Sequence, residues 1–178
     1  MRIIAGDLKG RKLTSPKDDK VRPTSDKVKE AIFSMIADTY YDEVVIDLFA
    51  GTGNLGLEAI SRGAKRCYFG DKSRESLSLI KENITYCKVE DQSIIIAGDY
   101  EMVLKRISEK AQIIFLDPPY KDGLMIGCMN LIDQLDLLEE DGLIVAEHSI
   151  KEVLPEQIGR FEKIKEKRYG KIGVSIYG

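Results

Sequence analysis

The sequence predicts an α/β fold built on a mainly parallel sheet of seven strands, and three observations carry that reading. From Glu43 onward, short apolar runs alternate with stretches of helical periodicity, as successive βαβ units require. Ile113-Ile114-Phe115-Leu116 is apolar without alternation, the pattern of a strand buried on both faces. Phe161 to Tyr169 and Ile172 to Tyr177, joined by Gly170-Lys171, read instead as an antiparallel hairpin closing the sheet edge.

The N-terminal pieces Arg2 to Ala5 and Arg11 to Leu13 flank Gly6-Asp7-Leu8-Lys9-Gly10, a glycine-rich stretch that reads as a hairpin loop. Such a hairpin is marginal alone and must pack on something. Residues 1–23 are accordingly assigned to a basic N-terminal hairpin or arm, and residues 24–178 to the main domain. Ser15 to Arg22 is polar and loop-like. Pro23 precedes a helix with Thr24 or Ser25 as N-cap and Asp26 in its first turn. Val28, Ala31, Ile32, Met35 and Ile36 give that helix an apolar stripe, leaving Arg22, Lys27 and Lys29 to face a ligand.

Val44 to Phe49 is the first buried strand, followed by a glycine-rich turn and a helix through about Arg62. Arg66 to Gly70 is the second strand, ending at Asp71, and Ser73 caps a helix running to about Lys88. Ser93 to Ala97 is the third, closed by Gly98-Asp99 before a helix from Tyr100. After the fourth strand, at Ile113, comes a helix over roughly Met125 to Leu135, then a fifth strand, Leu143 to Glu147, behind Asp141-Gly142.

The 178 residues suit one compact domain, and no run approaches the roughly 20 apolar residues of a membrane span. The N-terminus has no apolar core of the kind a signal peptide needs. Cys67, Cys87 and Cys128 are odd in number and lack metal-ligand spacing, so buried free thiols in a reducing cytosol are expected, with no metal. The net charge of −3 is unevenly distributed: residues 1–30 hold nine Lys/Arg against five acids, a local +4, leaving −7 for the rest. A polyanion would therefore meet the arm. The lone His148 reads as a packing residue, and the basic run Lys163 to Lys171 as a solvated strand face.

Two stretches carry chemistry. In Asp47-Leu48-Phe49-Ala50-Gly51-Thr52-Gly53-Asn54-Leu55-Gly56, the glycines Gly51, Gly53 and Gly56 satisfy GxGxxG between a strand and a helix. Glycine is required where a Cβ would hold a ligand away from the backbone. Asp71 follows the second strand, 20 residues beyond Gly51, and suits a pair of ribose hydroxyls; a helix-capping acid is the plain alternative. Asp99 could receive an adenine amino group or simply cap the helix from Tyr100. These residues fit NAD as well as S-adenosylmethionine.

The second stretch, Asp117-Pro118-Pro119-Tyr120, separates the two cofactors. Its prolines remove backbone donors and force a stiff, extended turn. The Asp117 carboxylate and the Pro118 carbonyl can accept hydrogen bonds from an exocyclic amine. That favours the pyramidal, nucleophilic form of the amine, while Tyr120 stacks on the base. Such methylation needs neither metal nor strong general base.

Asp47-x-Phe49-x-Gly51-x-Gly53 with Asp117-Pro118-Pro119-Tyr120 resembles the Rossmann-like class I S-adenosylmethionine-dependent amino-methyltransferases. Arg2-Ile3-Ile4-Ala5-Gly6, Gly10-Arg11-Lys12-Leu13, Arg22-Pro23-Thr24-Ser25-Asp26-Lys27, Leu55-Gly56-Leu57-Glu58-Ala59 and Arg168-Tyr169-Gly170 narrow the resemblance to the bacterial RsmD-type enzymes. The resemblance implies methylation of a guanine N2 in 16S ribosomal RNA of the assembled or assembling small subunit. It implies a cofactor site of Asp47, Gly51, Gly53, Gly56, Asp71 and Asp99, a guanine held by Asp117 to Tyr120, and RNA phosphates met by Arg11, Lys12, Arg22 and Lys27. A cytoplasmic monomer is expected. The alternatives from the residues are an adenine-N6 methyltransferase on DNA or RNA, and a non-catalytic cofactor-binding assembly factor.

Overall fold

A computed structural model of the chain describes residues 1–17, 24–119 and 123–178. Its strands are β1 (Val44–Leu48), β2 (Arg66–Asp71), β3 (Ser93–Ala97), β4 (Ala111–Leu116), β5 (Leu138–Ser149), β6 (Gln157–Ile158), β7 (Phe161–Tyr169) and β8 (Ile172–Tyr177). The helices are α1 (Asp26–Met35), α2 (Asn54–Ser61), α3 (Arg74–Cys87), α4 (Tyr100–Arg106) and α5 (Leu124–Gln134). One sheet runs β3-β2-β1-β4-β5-β8-β7-β6. The first five strands in that order are mutually parallel, and the last three pair antiparallel.

The central strands β1 and β4 are buried along their whole length, because helices cover both faces. On one face, Val28, Ile32 and Phe33 of α1 and Ile36 at its C-cap pack with Leu57, Ile60, Ile80 and Ile84 of α2 and α3 against Val45, Phe115, Val145 and Ile176. On the other, Val103 and Leu104 of α4 and Met125, Met129 and Ile132 of α5 pack against Ile46, Ile114 and Ile144. The three cysteines are free and buried, as expected.

The sheet has eight strands rather than seven. β6 is two residues long, too short to leave a periodic signal, and exists because Gln157 and Ile158 pair with Glu162 and Phe161. β5 also begins earlier than Leu143. Leu138 pairs with Ala111, the register then jumps to Leu143 opposite Ile113, and Asp141-Gly142 is absorbed as an irregularity inside the strand.

The N-terminal hairpin forms around a bridge between Arg2 and Lys12, with Gly10 N–H donating to the Ile3 carbonyl (2.8 Å). It is not a free appendage: Ile3, Leu8 and Leu13 are buried in the same core cluster as α1 and α2. What fastens it is Glu58 of α2. That carboxylate accepts the Ile4 N–H (2.9 Å) and Ala5 N–H (3.1 Å), and pairs with Lys29 Nζ (3.0 Å) and Arg62 Nε (2.8 Å). Lys29 Nζ donates further to the Arg2 carbonyl (2.6 Å) and to Asn54 Oδ1 (2.7 Å), so all three ammonium protons have acceptors.

The expectation that Lys29 faces a ligand is therefore corrected: its side chain is wholly buried. Position 29 lies three and four residues before Ile32 and Phe33, on the same helical stripe, so the helix carries its amine into the core. Burial pulls the Lys29 ammonium below the usual lysine range, with Glu58 opposing. Burial alone would raise Glu58, but the Ile4 N–H, Arg62 and Lys29 outweigh it and hold the carboxyl below its usual range.

Removing one partner of a buried pair leaves the other charge uncompensated, so Glu58→Ala should cost about 3–5 kcal/mol in urea unfolding. It should also expose the arm, residues 1–17, to limited proteolysis. Because the Glu58 pKa is depressed in the folded state, its contribution is present above the unfolded value and lost as pH falls; the gap between wild type and variant should narrow below pH 4.5. A loss under about 1 kcal/mol would show that the arm is held elsewhere.

Candidate active site

The sheet changes its direction of winding between β1 and β4. The chain leaves β1 through α2 toward β2 on one side, and leaves β4 through α5 toward β5 on the other. Two neighbouring loops that diverge in this way open a crevice at the carboxyl edge, where α/β sheets hold ligands. The loops that meet there are Phe49–Gly53 and the segment beginning at Asp117.

Register decides which side chains share the crevice. Asp47 pairs with Phe115, and Leu116 pairs with Ala146, so Asp117 and Glu147 stand side by side one residue further on. Parallel partners point the same way and faces alternate along each strand. Asp47, Asp117 and Glu147 therefore emerge on one face, the side covered by α1 and α2. Burial, aided by the charges of Asp71 and Glu147 and opposed by the Gly56 N–H, pushes the Asp47 carboxyl up to about 8. Burial, the charge of Glu147, a carboxyl–carboxyl hydrogen bond with Glu147 and the charge of Asp47 lift Asp117 well above the carboxylate range. Burial raises Glu147 too, offset by the Thr24 hydroxyl and Asp117. Two neighbouring acids resist ionising together, which favours one shared proton on the pair.

Two helix starts service this cluster. Gly56 N–H, in the first turn of α2, donates to Asp47 Oδ2 (2.9 Å), and Thr24 Oγ1, just ahead of α1, donates to Glu147 Oε2 (2.9 Å). Asp117 is crowded by protein yet keeps solvent-exposed surface at the mouth of the crevice, with Pro118 half-buried and Pro119 exposed beside it. It is the one carboxylate of the three left open to an incoming group.

The glycine turn is wound left-handed at three places, Phe49 (φ 64°), Gly51 (φ 62°) and Gly53 (φ 83°). A non-glycine residue there costs about 1–2 kcal/mol, so Phe49 stores strain beside the crevice. A Cβ added to Gly51 would meet nothing within 4 Å, so the backbone lies open to a ligand. Gly56 is glycine for another reason: a Cβ there would run into the Phe69 ring and come within 2.7 Å of Cys67 Sγ, so its absence lets α2 lie close on the sheet.

Asp71 and the glycine turn touch: Gly51 N–H donates to Asp71 Oδ2 (3.0 Å), and Ser73 N–H to Asp71 Oδ1 (2.9 Å). Asp99 caps α4 through the Met102 N–H (2.9 Å) and stays exposed. Asp47, only 3% exposed, is the innermost of the three, its carboxylate bonded into the helix start. Of the basic residues, Lys12 and Lys27 are exposed, whereas Arg11 Nη1 donates to the Tyr86 carbonyl (3.3 Å). Arg22 and Tyr120 lie outside the described residues.

Sequence reasoning missed Glu147, Thr24 and Asn54. Asn54 Nδ2 donates to the Thr24 carbonyl (3.4 Å) while Asn54 Oδ1 accepts Lys29, linking the arm's anchor to the crevice. An acid ending the fifth strand, like those ending the first, second and fourth, was the available signal for Glu147; Thr24 was visible only as a capping candidate and Asn54 only as a member of the glycine-rich turn. His148 is buried, its ring nitrogens on the Ser149 carbonyl (2.9 Å) and Ser175 Oγ (2.8 Å), a packing role as expected.

The family described as "Conserved hypothetical protein 95" matches residues 1–178, and the chain belongs to it. It is 40% identical over 180 residues to "Putative rRNA methyltransferase YlbH" of Bacillus subtilis (strain 168), covering 99% of this chain and 98% of that protein. It is 30% identical over 177 residues to "Ribosomal RNA small subunit methyltransferase D" of Escherichia coli (strain K12), covering 99% and 89%. The solved structure of "Putative methyltransferase yhhF from Escherichia coli" superposes with a TM-score of 0.89 at 29% identity, over 99% of this chain and 96% of that one.

Asp47 titrates from 3.8 when unfolded to about 8 when folded, so the folded state binds more protons across that interval and loses stability as pH rises through it. Asp47→Asn keeps an acceptor for the Gly56 N–H without the titration. In urea melts the variant should gain on wild type from pH 4 to pH 8, with a constant gap above that. A gap independent of pH would remove the buried carboxyl from the account.

Proposed function

We propose that this protein transfers a methyl group from S-adenosylmethionine to the exocyclic N2 amine of a guanine in 16S ribosomal RNA of the small subunit. One observation carries the reading: an open carboxylate, Asp117, follows directly on the strand beside a glycine turn already joined to Asp71, at the point where the sheet winding reverses. The names of the relatives support ribosomal RNA as substrate. No helix among the described residues is long and apolar enough to cross a membrane, which agrees with a cytoplasmic enzyme meeting ribosomal particles.

The cradle fits an adenosine-bearing sulfonium. The open backbone of Gly51, in the turn that Gly53 closes, would lie along its methionine end, Asp71 would take the ribose hydroxyls, and Asp99 would lie near the adenine. Gly56 and Asp47 hold the turn in shape. When bound, the cofactor supplies an electrophilic methyl on sulfur.

The chain's own contribution is to present the amine. Asp117 and the Pro118 carbonyl accept its N–H bonds, and Tyr120 would stack on the base. An amine donating to Asp117 favours the tautomer in which Glu147 carries the shared proton, so Glu147 and Thr24 act as positioning residues for Asp117. The proton that the methylated amine must lose would pass to Asp117 and from its exposed side to water.

The test is incubation with labelled cofactor and separated ribosomal subunits, followed by nucleoside analysis. Label in N2-methylguanosine of the small subunit is expected; N6-methyladenosine would overturn the base assignment. Asp117→Ala should lower kcat at least a hundredfold while S-adenosylhomocysteine affinity stays within a few-fold by calorimetry. Full activity in that variant would end the role of Asp117.

The ionised fraction of the acid pair grows with pH, so kcat/KM should rise along an acidic limb. Removing the neighbouring charge in Glu147→Gln should move that limb to lower pH. An unmoved limb would separate Glu147 from catalysis.

A further inference from the structure

We infer that the β7–β8 hairpin is a second docking surface for the RNA backbone, with Lys165, Lys167, Arg168 and Lys171 meeting phosphates that flank the base held at Asp117. This rests on the proposed RNA substrate and adds a contact surface on the opposite flank of the site from the arm.

The sheet register sets the location. Glu147 pairs with Val174, and Val174 with Lys167, so these three side chains lie in one row on one face. Asp117 begins that row one strand further in, and at about 4.8 Å per strand Lys167 stands about 15 Å from it, on the side from which the crevice acids emerge. Lys165, opposite Ile176, shares the face. β8 is antiparallel to β5 and β7 to β8, so β7 runs toward the carboxyl edge. Ile172 pairs with both Ser149 and Tyr169, which puts Gly170-Lys171 just beyond the end of β5. Lys27 completes the rim: it lies in the first turn of α1, whose preceding Thr24 is bonded to Glu147.

Charge supplies the second argument. Residues 161–171 hold five Lys/Arg and two acids, a local +3; with +4 in residues 1–30, everything else carries −10. The two basic segments thus stand out from an acidic body, the arrangement that steers a polyanion to chosen places. Lys163 is spent internally, its Nζ on the Leu154 carbonyl (2.8 Å) and near Glu156 and Glu166. Lys165, Lys167, Arg168 and Lys171 are exposed, and among the described residues none is held in an ion pair. β6 pairs with Phe161 and Glu162 and the Glu156 carbonyl accepts the Lys163 N–H (2.7 Å), so among the described residues no strand pairs with the outer edge of β7 beyond Lys163. Lysines on an open edge also discourage strand pairing with other chains. That explains the middle of β7, not Arg168 and Lys171 at the tip.

The quadruple variant Lys165→Gln, Lys167→Gln, Arg168→Gln, Lys171→Gln tests this in the full-length protein. With small subunits as substrate, KM should rise at least tenfold, kcat should stay within twofold, and S-adenosylhomocysteine affinity should not change. The slope of log K against log salt should fall by about 0.7–0.9 for each phosphate that the variant no longer neutralises. Lys105→Gln with Arg106→Gln, on α4 against the other face, should leave KM unchanged. Unaltered KM and slope in the quadruple variant would overturn the inference, as would an equal rise in the α4 control. Binding to vesicles rich in anionic lipid, abolished by the same four changes while subunit KM holds, would overturn it too. Wild-type protein that methylates no ribosomal RNA would instead refute the proposed function.

Discussion

The parallel pairing of β1 with β4 is the constraint on which the site depends. These strands are consecutive in neither sequence nor winding, and their adjacency is what leaves the crevice between diverging loops. The same pairing, extended to β5, sets Asp47, Asp117 and Glu147 on one face within a few ångströms of one edge. Three carboxylates so crowded cannot all be charged. The fold answers by burying Asp47 against a helix N–H, tying Glu147 to a hydroxyl, and leaving Asp117 as the member that faces outward. The chemistry proposed for Asp117 follows from that division of labour.

A second junction joins the arm to this centre. Glu58 collects two backbone N–H groups of the hairpin, the buried Lys29 and Arg62, and through Lys29 and Asn54 the hydrogen bonds continue to Thr24 and so to Glu147. In a low-dielectric interior such a chain is rigid when every member is satisfied, and among the described residues no buried side-chain nitrogen or oxygen lacks a partner. The hairpin that carries Arg11 and Lys12 is thereby held at a fixed position relative to the crevice.

Electrostatically the molecule is an acidic body with two basic segments, of which the β7–β8 tip lies at the carboxyl end of the sheet. Net charge of −3 would by itself argue against a polyanion partner. The distribution matters more than the sum: the phosphate contacts proposed for the arm and the β7–β8 tip fall in the two basic segments, while the acidic remainder would repel a polyanion elsewhere.

The sequence by itself determined the class of fold, the order of its elements and the turns that carry chemistry. Local signals are enough there: apolar runs mark buried strands, Ser73 and Asp99 mark helix starts, and a glycine or proline announces a turn before any partner is known. Only the tertiary structure decided what those turns touch. Lys29 looked like a surface amine until packing turned its stripe inward, and β6 exists only because β7 passes beside it. Glu147 became the partner of Asp117 through a register between strands more than twenty residues apart. Contacts of that kind are settled by long-range pairing and by burial, neither of which leaves a mark in the spacing of residues along one chain segment.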